Sequence, residues 1–233
     1  MAAVIPLSDV SRRPANFPVV TLSLIIINFI VFIIELIGGQ PFVERWALVP
    51  AQISQGQHLE TILTAMFMHG SWSHIIGNMV FLWAFGPEIE DAMGPWRYLI
   101  YYLLGGTAAA LAQVAAAPAS TVPNLGASGA IAAVMGGFLV TYPRDQIRSL
   151  LVIFVFVQVR YITSALLIGI WFLLQLVNLG PIVTGTTSGS EGGGVAYMAH
   201  VGGFIFGAVF ARLFEDPKRI AAQPVDDDAS GIS

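Results

Sequence analysis

From Val19 to Ile34 the chain carries no ionisable side chain. Extended to Gly38 as a helix, at about 1.5 Å per residue, that run reaches the ~30 Å of a bilayer's hydrocarbon core. The rest of the sequence is of the same kind. Of 233 residues, 56% are apolar and only 10% charged, with a mean hydropathy of +0.76. A soluble domain usually carries about a quarter charged residues, so the fold class expected is an all-α membrane protein. Six stretches read as spans, roughly 18–38, 68–87, 97–116, 126–142, 161–180 and 195–214. Arg12 and Arg13 precede the first, but its apolar run is too long for a signal peptide and no small-x-small cleavage site follows. It reads as a retained helix.

One segment fits no span. Leu150 to Val157 is unbroken apolar sequence, too short to cross, flanked by Arg148 and Arg160. Its β-branched and aromatic content favours an extended or interfacial segment over Ser149–Val159 rather than a seventh helix.

Other features exclude whole classes of function. Net charge is -4, part of it from Asp226-Asp227-Asp228 near the C-terminus. There is no basic face for a nucleic-acid partner. With no cysteine there is neither disulfide nor thiol chemistry.

Lysine and arginine placement orients the spans. With the N-terminus inside, one face collects Arg12, Arg13, Arg97, Arg144, Arg148, Arg160, Arg212, Lys218 and Arg219, and the other keeps only Arg45. Both termini are then cytoplasmic, and the second, fourth and sixth spans begin at the outer face. The tails are expected at 1–15 and 215–233, the latter without structure because it has little apolar content from Pro217 on.

That topology brings polar residues together. His74 and Asn78 fall in the first part of the second span, Ser128 opens the fourth, and His200 lies early in the sixth. Polar groups in hydrocarbon surroundings are costly, so three at one level from one side ask for a chemical reason. A serine hydroxyl becomes a useful nucleophile once a base accepts its proton, and His200 can be that base. Gly203 and Gly207 share a helical face with His200, and Gly129, Ala132, Ala133, Gly136 and Gly137 supply small residues on the fourth span. Close packing of these two helices would join Ser128 to His200. A serine at a helix N-terminus also has free backbone N–H groups beside it. His74 and Asn78, one turn apart, can donate from the same side to an oxyanion. Glu35, Glu44, Glu60 and Glu191 have no spacing that aims them at His200, so the expectation is a Ser–His dyad whose histidine is oriented by packing. A metal site at His69, His74 and His200 is the weaker alternative, because the spacing of His69 and His74 is poor for one helical face and no acid or cysteine completes it.

In order along the chain, His74-x-x-x-Asn78, Gly126-x-Ser128-Gly129 and Ala199-His200-x-x-Gly203-x-x-x-Gly207 resemble the rhomboid intramembrane serine proteases. Gly86, Glu90 and Gly94 fit that family's Gly-x-x-x-Glu-x-x-x-Gly pattern, and the resemblance covers roughly residues 16–214. It implies a six-transmembrane-helix bundle around a short central fourth helix. It also implies an endopeptidase that cuts transmembrane protein substrates near their outer ends. Ser128 would be the nucleophile and His200 the base, with His74, Asn78 and the Ser128 N–H forming the oxyanion hole. Residues 39–67 would form a partly embedded first loop. The fifth helix and the loop through Gly192-Gly193-Gly194 would be gate and cap, with substrate entering between helices two and five. No cofactor is needed. Two departures stand out: Glu60-Thr61 replaces the Trp-Arg of many members, and Ala132 replaces an aromatic that some use to stack on the histidine.

Two other classes compete with this reading: an inactive relative that binds transmembrane clients, and a small transporter. The transporter predicts midplane polar groups or internal repeats, and the sequence has neither. The absence of a mitochondrial-type leader points to a bacterial inner membrane, with the lipid bilayer as constant partner. Oligomeric state is left open.

Overall fold

A computed structural model of the chain describes residues 2–183 and 197–226. Each of the six apolar stretches holds a helix. The first, α1 (Val19–Trp46), breaks at Gly39, whose φ of 61° is left-handed, and Pro41 follows at once. What remains of the first loop is compact: α2 (Pro50–Ser54), then α3 (Thr61–Thr64) running into a 3-10 turn at Ala65–Phe67. The loop is fastened without a Trp-Arg pair. Arg45 donates to Glu60 at 2.9 Å, Thr64 Oγ1 donates to the Trp46 carbonyl at 2.9 Å, and Leu48 pairs with Asn124 as an isolated bridge.

The long helices follow as α4 (Trp72–Met93), α5 (Pro95–Ala116), α6 (Ser128–Thr141), α7 (Ser164–Val183) and α8 (Tyr197–Phe214). Local chemistry sets their ends. Ser71 caps α4 by accepting the His74 N–H at 3.2 Å, and Pro95 opens α5 directly after Gly94. Glu90 receives the N–H groups of Val20 and Thr21 at 2.8 and 2.7 Å, so a carboxylate on α4 caps α1.

At the centre is α6, buried without interruption from Gly129 to Phe138. Two glycines explain how closely α8 approaches it. A Cβ on Gly203 or Gly207 would overlap the carbonyl oxygens of Gly129 and Ala133 respectively. Outward faces are bare hydrocarbon instead: Ile26, Ile30 and Ile34 on α1, Leu166, Ile170 and Leu173 on α7, Ile205 and Val209 on α8. Among the described residues, α1, α5 and α8 are long and apolar enough to cross a bilayer. Such surfaces suit lipid rather than water. The chain is an integral, multi-pass membrane protein.

The fold is mostly helical rather than all-α. Between α6 and α7 the ambiguous segment is a hairpin, β2 (Gln146–Ile153) and β3 (Phe156–Thr163), which fits the extended reading. The N-terminal tail is not free either. Ala2–Asp9 forms β1, antiparallel to β2 on the side away from β3. Nor is the C-terminal tail without structure throughout. Pro217–Ala222 forms a short helix, α9, capped by Asp216, and Gln223 beyond it donates to the Glu88 carbonyl at 2.9 Å. The expectation failed there because the helix is held by distant partners rather than by its own apolar content. Residues 227–233 and the loop through Gly192–Gly194, with Glu191, lie outside the described residues.

Candidate active site

Ser128 owes its position to the turn before it. The Gly126 N–H donates to the Ala65 carbonyl at 2.9 Å, which ties this strand of loop to the 3-10 turn. Gly126 has φ 133°, and a Cβ there would lie 2.9 Å from the His74 ring. Only glycine allows that backbone and that ring to meet. Ala127 follows as N-cap, and Ser128 is the first residue of α6.

His200 comes from the first turn of α8. Its Nε2 lies 2.8 Å from Ser128 Oγ, 72 residues away in sequence. The glycine face of α8 makes this possible, as the shared face of His200, Gly203 and Gly207 predicts. Its other nitrogen is also engaged. Nδ1 lies 2.8 Å from Oε1 of Gln175 on α7. The ring sits beside Trp171, with centroids 5.8 Å apart, and edge-on to Tyr197 at 6.4 Å.

A cavity of about 240 Å³ opens on this pair. Ser128, His200, His74, Asn78, Trp171 and Met135 are among its walls. The four residues singled out in the sequence therefore share one space. A smaller recess of about 60 Å³ also borders Ser128, lined by Met66, Gly106, Ala130 and Gln113 among others.

His69 is fully buried, and its Nε2 lies 2.9 Å from Asn78 Nδ2, so it receives one of the two amide hydrogens. It packs edge-on to His74 at 5.1 Å. Sequence reasoning weighed His69 only as a poor metal ligand and missed its hold on Asn78. It also missed Gln175. The signal was available: a carboxamide in the middle of a largely apolar helical stretch is costly unless it is partnered. Packing alone does not orient His200, because a hydrogen bond from α7 shares the task.

The arrangement can do one kind of chemistry well. A hydroxyl beside a ring nitrogen, at a helix N-terminus and facing amide and imidazole donors, is equipped for nucleophilic attack on a carbonyl.

Known proteins carry related sequences. A family model, the Rhomboid domain, matches residues 55–216. The chain is similar to RHOMBOID-like protein 12, mitochondrial, of Arabidopsis thaliana, at 29% identity over 83% of this chain and 58% of that protein. It is 31% identical to Rhomboid protease GluP of Bacillus subtilis over 46% of this chain and 21% of that one. Rhomboid protease GlpG of Pectobacterium atrosepticum is 30% identical over 50% and 41%. The chain thus spans between about a fifth and three-fifths of these relatives' lengths. They come from a plant organelle as well as from bacteria, so the similarity gives a bacterial inner membrane no preference. With a match over most of its length and named proteases among its relatives, the chain belongs to the rhomboid family.

Proposed function

We propose that this protein is an intramembrane serine endopeptidase that uses Ser128 and His200 as a catalytic dyad on transmembrane protein substrates. The observation that carries the reading is the 2.8 Å approach of His200 Nε2 to Ser128 Oγ at the wall of an open cavity. His200 takes the hydroxyl proton as Oγ attacks the scissile carbonyl. The oxyanion is met by the Ser128 N–H at the start of α6 and by donors on His74 and Asn78. His200 then gives its proton to the leaving amine, and water hydrolyses the acyl-enzyme with the ring again as base. No cofactor takes part.

The spans α1, α4, α5, α6, α7 and α8 are read as six crossings with both termini in the cytoplasm. The dyad then lies near the outer face, where water can reach it. Six crossings fit the spread of positive charge and the bare apolar faces of α1, α7 and α8. The 60 Å³ recess beside Ser128 suits a small side chain next to the cleaved bond. A helical substrate must also unwind locally to present that bond, which favours helix-breaking residues near its outer end.

The test is cleavage of a transmembrane test substrate in detergent or liposomes by wild type, Ser128→Ala and His200→Ala. The proposal expects wild type to cut, both variants to be silent while folded, and a fluorophosphonate to label Ser128 in wild type alone. Wild type that neither cuts nor takes the label would replace this reading with that of a relative that binds transmembrane clients.

A further inference from the structure

Gln175 is 9% exposed, on the one inward face of α7 that also carries Ile168 and Trp171. Both ends of its carboxamide are engaged. Nε2 donates to the Trp171 carbonyl at 3.3 Å, and Oε1 faces Nδ1 of His200 at 2.8 Å. These contacts decide each other. A backbone carbonyl can only accept, so the amide nitrogen belongs beside Trp171 and the amide oxygen beside the ring. That oxygen also can only accept, so Nδ1 must carry the proton. In the neutral imidazole the lone pair is then left on Nε2, the atom 2.8 Å from Ser128 Oγ.

We propose that Gln175 is a positioning residue that locks His200 in the Nδ1–H tautomer and so keeps Nε2 available as base. The inference rests on the dyad reading for its catalytic meaning, though not for its structural content. During attack the Ser128 proton moves to Nε2, while the Nδ1 proton stays in place, donated to Oε1 throughout. The opposite tautomer would set a lone pair against Oε1 and a ring N–H against Ser128, leaving the hydroxyl without an acceptor. Among the described residues no carboxylate hydrogen-bonds His200. A neutral amide does the orienting without bringing a second charge into apolar surroundings, where an unpaired charge is costly. Trp171 adds to this from the same helix, since its carbonyl sets the amide and its indole lies against the ring.

The experiment has two independent readouts. The first is the ¹⁵N spectrum of His200 in the resting protein. The expected result is a protonated Nδ1 and an unprotonated Nε2 in wild type, with the Nε2–H form appearing in Gln175→Leu. The second is kinetic. Gln175→Leu should lower kcat about 10²-fold, the scale of a misplaced catalytic group, with KM little changed, while Gln175→Glu keeps an acceptor and recovers part of the loss. Wild type with the proton on Nε2 overturns the proposal, as does Gln175→Leu with unchanged kcat. The wild-type spectrum decides the question even if Gln175→Leu fails to fold. Ser128→Ala separates the two claims: if it still cleaves, the dyad reading falls, while the spectrum alone continues to judge the tautomer lock.

Discussion

Glu35, near the end of the membrane-length part of α1, accepts the backbone N–H of His69 at 2.9 Å. His69 in turn holds the amide of Asn78, so the first long helix reaches, through His69, the cavity that Ser128, His200 and Asn78 line. Glu35→Ala should leave that N–H without a partner and cost about 1–3 kcal/mol of stability. Glu35→Gln, which still accepts, should cost much less. Thermal unfolding in detergent compares the two. Equal losses would show that the charge matters more than the hydrogen bond.

Asn78→Ala removes a donor from the cavity wall without touching Ser128 or His200. On the proposed mechanism kcat should fall about 10²–10³-fold, as loss of an oxyanion donor does elsewhere. KM for a transmembrane test substrate should hardly move. A variant with wild-type turnover would remove Asn78 from the oxyanion hole and leave His74 and the Ser128 N–H as its donors.

Gly207→Ala places a methyl group against the Ala133 carbonyl, where α8 touches α6 most closely. Overpacking of this kind costs about 1–3 kcal/mol, and the approach of two backbones leaves little room for relaxation. Because His200 rides on the same helix, fluorophosphonate labelling of Ser128 should slow along with the drop in melting temperature. Labelling at the wild-type rate in a destabilised protein would mean the helix ends move independently.

The joint between sheet and bundle should respond to pH. Burial first, and then the neighbouring Asp145 carboxylate, push the Asp9 carboxyl from 3.8 up to about 8. Arg12 pairs with Asp145 beside it, and Glu88 is buried close by. A raised carboxyl pKa means the folded protein holds a proton that the unfolded chain has released. This contribution to stability is therefore complete below about 3.8 and is lost as pH rises through about 8. Asp9→Asn should flatten the fall of melting temperature across that window while keeping the oxygen that accepts the Ser11 N–H at 2.7 Å. An unchanged slope would assign the pH response to other groups.

The readable parts of this molecule were those written in local pattern. Runs free of charge marked the helices, and the spacing of His200, Gly203 and Gly207 on one face predicted their common direction. The segment from Leu150 to Val157 was legible as extended because it is β-branched, aromatic and too short to cross. What the sequence withheld depends on partners far away. Ala2–Asp9 includes a proline and has no strong alternation, and it becomes a strand because β2 offers an edge to pair with. Likewise α9 is stabilised by contacts with α4, including Arg219 donating to the Asp91 carbonyl at 2.7 Å. Gln175 stood out chemically, yet nothing along α7 said which ring it would meet, since 25 residues separate it from His200.

The shortness of α6 works as a ruler. Its 14 residues make about 21 Å of helix against ~30 Å of hydrocarbon. On the proposed topology Arg144 follows its cytoplasmic end, and with that end at the headgroups the shortfall of about 9 Å would lie above Ser128. On the proposed function, peptide hydrolysis inside a membrane is a question of how deep a well the protein leaves open, and one added turn of α6, about 5.4 Å, would carry Ser128 most of the way to the surface.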